Sequence, residues 1–118
     1  MIVVEQLQTV NLPAGNLEET IQFYNLFFDF ELIEQHEEFA ILSFDSLRLK
    51  LITNQESNAN NSIPTLSFLL DVDDFTDAIQ EIESNESPVV SGPVEITGGE
   101  TIHIKDPSGN IIELFYQD

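Results

Sequence analysis

The chain contains no cysteine and no tryptophan, and it has only three basic residues. The absence of cysteine excludes disulfide bonds and metal sites built on thiolates. The three bases, Arg48, Lys50 and Lys105, stand against 22 acidic residues, which gives a formal net charge of −19. Such a chain repels nucleic acid and anionic membranes, so we expect neither as a partner.

Long apolar runs are also missing. No stretch could span a bilayer, and residues 1–5 lack the basic and apolar pattern of a signal peptide, so we expect a cytoplasmic protein. Hydrophobic residues still make up 42% of the 118, enough for one folded domain with a buried core. The acidity leaves two interpretations open: it serves solubility, or it attracts a cationic ligand.

The same order of elements occurs twice along the chain. In the first half, periodicity predicts a strand, a helix and three strands: residues 3–12, 17–28, 30–33, 39–44 and 47–53. In the second half the same order begins with residues 65–71 and a helix from Asp73 and Asp74. It continues with strands at residues 88–90 and 94–96, 100–105 and 111–116. This internal repeat predicts a fold made of two similar modules.

The predicted fold class is α+β. We predict a single domain over residues 1–118, with two βαβββ modules at about 1–55 and 64–118 and a polar linker at 54–63. Each module forms a mixed, mostly antiparallel sheet with its helix on one face, and the two sheets curl around a cleft. The uncovered faces need a mate, either the other module or a second chain, and we expect a homodimer.

The last hairpin holds the first candidate site residue. Residues 106–110 have turn chemistry, and the following strand alternates so that Glu113 shares a face with Ile111 and Phe115. Glu113 is either a solvated residue of an edge strand or a carboxylate facing the cleft. By the same alternation His103 lies beside it, either as a general base or as a hydrogen-bonding residue without chemistry.

These features together resemble the vicinal oxygen chelate superfamily, which includes glyoxalase I, extradiol dioxygenases, fosfomycin-resistance enzymes and bleomycin-resistance proteins. The segments that carry the resemblance are residues 10–12, 16–18 and 23–24 in the first module, and 68–74 and 106–114 in the second. The resemblance implies the glyoxalase/bleomycin-resistance fold. It also implies that two βαβββ modules pair within one chain or across a homodimer.

The resemblance also implies where a divalent metal would bind, because the superfamily's enzymes take one ligand from each of four strands. These positions fall on Thr9, Lys50, Ser67 and Glu113, where metal-dependent members typically have His or Gln, Glu, His and Glu. Thr9 corresponds to Ser67 because each stands seven residues before a predicted helix cap, Asn16 or Asp74. Only Glu113 agrees with the superfamily's pattern.

This departure predicts that the chain holds no metal. Lysine has no lone pair to offer when charged, and neutral hydroxyls are weak ligands. The sequence also has no dinucleotide fingerprint and no phosphate-binding glycine loop, so we expect no other cofactor. In place of the metal we predict an ion pair between Lys50 and Glu113, with a solvent-exposed Lys50 as the alternative.

The predicted function is metal-free binding of a small molecule, similar to the antibiotic-sequestering members of the superfamily. The net charge favours a cationic antibiotic or metabolite as the ligand. The predicted ligand-binding residues are Thr9, Asn11, Arg48, Lys50, Ser67, Leu69, His103, Glu113 and Phe115. Two alternatives remain: a lyase or dioxygenase-type enzyme with a rebuilt site that uses Glu113 and His103, and a structural or protein-interaction module.

Overall fold

The computed structural model describes residues 1–53 and 63–118. The chain divides into an N-terminal unit, Met1–Ser57, and a C-terminal unit, Asn58–Asp118. Each unit has the predicted order of one strand, one helix and three strands, so the predicted α+β fold class is confirmed. The predicted linker at 54–63 lies, apart from Ile63, outside the described residues and stays a prediction.

The N-terminal unit forms a four-stranded sheet with one helix. Its elements are β1 (Val10–Pro13), α1 (Leu17–Phe28), β2 (Glu31–Gln35), β3 (Phe39–Phe44) and β4 (Leu47–Ile52). The strand order is β1-β4-β3-β2, in which β1 pairs with β4 in parallel and the other pairs are antiparallel. This is the mixed, mostly antiparallel sheet that the sequence predicts.

Helix α1 begins and ends at residues suited to those positions. The Asn16 side chain accepts a hydrogen bond from the Glu19 backbone N–H at 3.0 Å, which satisfies one of the free donors of the first turn. Asp29 ends the helix in the left-handed conformation, at φ 57°. Between them the helix buries Ile21 and Tyr24, so this unit has an apolar core on one face of its sheet.

The first strand is shorter than predicted. The sequence predicts a strand over residues 3–12, whereas β1 begins only at Val10, and Val3, Val4 and Leu7 are exposed. The reason lies in the partner strand, because β4 begins at Leu47 and the register pairs Val10 with Leu49. Residues before position 8 therefore extend beyond the end of β4. Strand propensity alone does not supply the missing hydrogen bonds.

The C-terminal unit repeats the arrangement. Its elements are β5 (Leu66–Leu69), α2 (Val72–Ser84), β6 (Val89–Ile96), β7 (Gly99–Lys105) and β8 (Ile111–Gln117). The strand order is β5-β8-β7-β6, with β5 and β8 parallel and the remaining pairs antiparallel. The two sheets therefore share one topology, as the internal repeat predicts.

Strand β6 is continuous where the sequence predicts two separate strands. Its register against β7 shifts between Ser91 and Val94, which is the mark of a β-bulge. Gly92 has φ +93° there, and a Cβ atom on it would lie 2.8 Å from the Thr101 carbonyl oxygen. A glycine at this position lets the irregular strand stay paired with β7.

The strand registers correct the alignment of the two halves. Asn11 pairs with Lys50, and Ser67 pairs with Glu113, so Asn11 rather than Thr9 is the counterpart of Ser67. The predicted match of Thr9 with Ser67 assumed that α2 is capped at Asp74. The observed N-cap is Asp71, so the second module has a shorter connection between its strand and its helix than that match assumed.

Neither helix within residues 1–53 and 63–118 is long and apolar enough to cross a membrane.

Burial in the C-terminal sheet predicts a clear contrast between two leucines. Leu114 on β8 is 2% exposed, and Leu69 on the neighbouring β5 is 67% exposed. Leu114→Ala should lower the free energy of unfolding by about 2–5 kcal/mol, because it leaves a cavity in the core. Leu69→Ala, the matched control, should change it by less than about 0.5 kcal/mol. Urea denaturation of both variants measures the difference, and equal losses would contradict the assignment of faces.

Candidate functional site

A tight turn fixes the start of β8. The Asp106 carboxylate accepts hydrogen bonds from the backbone N–H groups of Ser108 and Asn110, both at 2.9 Å, and from the Asn110 side chain at 2.8 Å. Gly109 occupies the left-handed position at φ +89°. The turn residues that the sequence predicts at 106–110 therefore form the predicted turn, and they set which residues of β8 face each way.

Glu113 lies on the face of the C-terminal sheet that is away from α2. The Tyr116 ring meets the Phe75 ring of the helix edge to face at 5.0 Å, which identifies the helix side of β8. Ile112 and Leu114 share that side and are buried. Alternation along the strand places Glu113 on the opposite, helix-free face, as the sequence predicts.

Three side chains hold the Glu113 carboxylate. The Ser67 hydroxyl donates to Oε1 at 2.8 Å, and the Thr101 hydroxyl donates to Oε2 at 2.9 Å. His103 Nε2 lies 3.2 Å from the same Oε2. The side chains of His103 and Glu113 are 23% and 27% exposed, so both are accessible from solvent. We call these four residues the Glu113 cluster.

The cluster keeps Glu113 ionised. Partial burial by itself raises the pKa of this carboxyl, but the hydrogen bonds from Ser67, Thr101 and His103 outweigh it and hold the pKa below the usual 4.5. An ionised carboxylate only accepts hydrogen bonds, so His103 Nε2 must carry the proton that points to it. In neutral His103 the other ring nitrogen, Nδ1, therefore has a free lone pair.

Four of the predicted ligand-binding residues lie in the N-terminal unit. Asn11 and Lys50 are neighbours on β1 and β4, and the Thr9 hydroxyl donates to the Asn11 side-chain oxygen at 2.9 Å. The Lys50 ammonium lies 4.6 Å from the centre of the Phe39 ring, which is a cation–π contact. Arg48 is exposed two residues before Lys50 on the same strand.

The other five lie in the C-terminal unit: Ser67, Leu69, His103, Glu113 and Phe115. The strand register places Ser67 and His103 on either side of Glu113, and Leu69 beside Phe115. The predicted ion pair between Lys50 and Glu113 would join the two units and stays a prediction. Ligand binding by the nine residues also stays a prediction.

Two side chains that bear on the site were missing from the predicted set. Thr101 donates to Glu113, and Phe39 supports Lys50. Strand alternation predicts Thr101 on the same face of β7 as His103, but its hydrogen bond to Glu113 depends on the register of β7 against β8. The predicted tight turn between β3 and β4 was enough to predict Phe39. That turn fixes the register in which Ile41 pairs with Lys50, and Phe39 then lies diagonally next to Lys50.

Comparison with known proteins identifies the family. The model of the glyoxalase/bleomycin resistance protein/dioxygenase superfamily matches residues 6–114. The chain belongs to this superfamily. The resemblance seen in the sequence is thereby confirmed, and two βαβββ units are the fold expected of a superfamily member.

The individual relatives include a virulence protein and a metallothiol transferase. The chain is 28% identical over 123 residues to the virulence protein STM3117 of Salmonella typhimurium, covering 96% of this chain and 85% of that protein. It is 30% identical over 117 residues to the metallothiol transferase FosB of Staphylococcus epidermidis, covering 94% and 81%. The crystal structure of FosX from Listeria monocytogenes with Mn(II) and sulfate matches at a TM-score of 0.84 and 14% identity, covering 98% of this chain and 93% of that chain, which shows the shared fold.

The residues of this superfamily member do not fit the divalent metal that its enzymes hold. Of the four matching positions, only Glu113 offers a carboxylate or an imidazole. Lys50 offers an ammonium and Ser67 a hydroxyl. The remaining position offers an amide if it is Asn11, or a hydroxyl if it is Thr9 as the sequence match has it. Both oxygens of Glu113 already accept hydrogen bonds from protein side chains. Across residues 1–53 and 63–118, no three histidine or acidic side chains are grouped where they could share a metal ion.

The donors around Glu113 predict its titration. Thr101→Val removes one donor at nearly constant volume, so the pKa of Glu113 should rise toward 4.5. A carboxyl with a lowered pKa stabilises the fold above its unfolded pKa, and that contribution is lost as the pH falls through its folded pKa. Stability should therefore decrease on acidification below about pH 4.5, less steeply in the variant. NMR titration of the Glu113 carboxyl carbon measures the shift, and an unchanged midpoint would contradict the role given to Thr101.

Proposed function

We propose that this superfamily member binds a small organic molecule without a divalent metal ion, using the helix-free face of its C-terminal sheet. The observation that carries the proposal is that both carboxylate oxygens of Glu113 are hydrogen-bonded by protein side chains, namely Ser67, Thr101 and His103. A metal at this carboxylate would have to displace those donors. The other three positions that match the superfamily's metal ligands supply only weak ligands or, at Lys50, none.

The chemistry of the helix-free face supports binding of an organic ligand. Leu69 is largely exposed and lies beside the half-buried Phe115, next to the polar Glu113 cluster. Small-molecule sites are typically lined by apolar side chains together with a few oriented polar groups, and this face carries both kinds of side chain. Members of the superfamily bind small molecules and often form dimers. For this chain a homodimer, a cytoplasmic location and a cationic ligand form part of the proposal.

One observation favours an enzyme as the second candidate. Ionised Glu113 orients His103 so that Nδ1 has a free lone pair, which is the arrangement of a general base held by a carboxylate. The metallothiol transferase among the relatives shows that the superfamily includes enzymes. In this candidate His103 would remove a proton from the bound molecule, and Glu113 would stabilise the imidazolium that forms.

Metal analysis combined with a thermal-shift screen tests the proposal. Purified protein should contain far less than one equivalent of divalent metal. Small amines, carboxylates and neutral compounds that bind should raise the melting midpoint equally before and after treatment with EDTA, because binding to the native state stabilises it.

Glu113→Gln and Glu95→Gln serve as a matched pair, since both remove one charge from the same sheet and Glu95 lies on β6 outside the cluster. We expect neither variant to change the metal content. One equivalent of bound metal that is lost in Glu113→Gln and retained in Glu95→Gln would overturn the proposal. Turnover of a bound compound that His103→Gln abolishes would favour the enzyme instead.

A further inference from the structure

Every side-chain hydrogen bond within the Glu113 cluster points to the carboxylate. Ser67, Thr101 and His103 each donate to Glu113, and Glu113 has no hydrogen to donate. We propose that the Glu113 cluster binds an ammonium or guanidinium group of an organic ligand. This inference rests on the proposed function, and it names the chemical group that the site recognises.

The accessible atoms of the cluster are hydrogen-bond acceptors. Ser67 is exposed, and its hydroxyl oxygen keeps lone pairs after it donates to Glu113. In neutral His103, Nδ1 is an acceptor, because ionised Glu113 requires the proton on Nε2. Oε1 of Glu113 receives only the Ser67 hydroxyl among the described side chains, although a carboxylate oxygen can accept two hydrogen bonds. A ligand at this place must therefore bring the hydrogens.

The distribution of charged residues also favours a cationic ligand. The C-terminal unit contains one lysine, Lys105, and no arginine. Lys105 is opposite Ile111 in the register, whereas His103 is opposite Glu113, so no ammonium of this unit is paired with the carboxylate. Ser91, the neighbour of His103 on β6, is uncharged. The net charge of −19 adds a long-range field that attracts cations and repels anions.

The surroundings of the cluster indicate the rest of the ligand. Phe115 follows Glu113 on the same face of β8, and Leu69 lies beside it on β5 with 67% of its surface exposed. An apolar group attached to the cationic nitrogen would cover these side chains and gain from their burial. The expected ligand is therefore an amine or guanidine with an apolar body.

Three probes of similar size and different charge distinguish the contribution of charge to binding from that of shape. They are benzylammonium, benzyl alcohol and benzoate. Each is titrated into EDTA-treated, ¹⁵N-labelled protein, and binding is followed through the backbone amide signals. Benzylammonium should give saturable shifts at Ser67, Thr101, His103 and Glu113. Benzyl alcohol should bind more weakly, and benzoate should leave these signals unchanged.

Variants assign the effect to the cluster. Glu113→Gln should weaken benzylammonium binding by about tenfold or more, as expected for the loss of a charged hydrogen-bond acceptor. Ser67→Ala, at an exposed position, should weaken it by a smaller factor and provides a second test if Glu113→Gln fails to fold. Glu95→Gln, which makes the same change in net charge, should bind like the original chain.

Three results would overturn the inference: benzoate binding at the cluster as well as benzylammonium does, no shift at the cluster with benzylammonium, or equal effects of Glu113→Gln and Glu95→Gln. Metal-free binding of a small molecule would survive these results if other compounds raise the melting midpoint of the EDTA-treated protein, whereas the cationic ligand would be ruled out. Benzylammonium binding only after Mn²⁺ is added would instead overturn the proposed function, and the inference with it.

Discussion

The structure of the site depends on how one carboxylate is satisfied. A partly buried carboxylate needs hydrogen bonds in place of the water it loses, or it takes up a proton. Glu113 receives its hydrogen bonds from β5 on one side and from β7 on the other. The register of three strands therefore determines its ionisation, the tautomer of His103 and the acceptor character of the exposed face.

The superfamily fold accommodates this arrangement without its metal ligands. In the C-terminal unit, hydroxyl and imidazole groups hydrogen-bond the carboxylate that lies at a metal-ligand position of the superfamily's enzymes. In the N-terminal unit, the ring of Phe39 contacts Lys50 at the position where metal-dependent members have a carboxylate ligand. Each unit thus provides its own partner for a charged residue, by a hydrogen-bond cluster in one and by a cation–π contact in the other.

The sequence predicts most of the fold, because periodicity and turn chemistry act locally. Helix α1 and strand β3 have their predicted bounds, and the turn before β8 has its predicted residues. The length of β1 depends on where its partner β4 begins. The residue that corresponds to Ser67 in the first unit depends on which residue caps α2. Residue spacing reveals neither of these. The faces of Glu113 and His103 follow from alternation, whereas the hydrogen bond from Thr101 requires the register of β7 against β8.

We propose that protein hydrogen-bond donors, rather than a metal ion, occupy the Glu113 carboxylate. The most direct test is a Zn²⁺ titration followed through the ring nitrogens of ¹⁵N-labelled His103, because metal binding, protonation and tautomer each change their NMR signals. At a pH where His103 is neutral, we expect a proton on Nε2, an unprotonated Nδ1, and no change in either signal after one equivalent of Zn²⁺. Loss of the Nε2 proton together with a metal-bound shift at that nitrogen would contradict it.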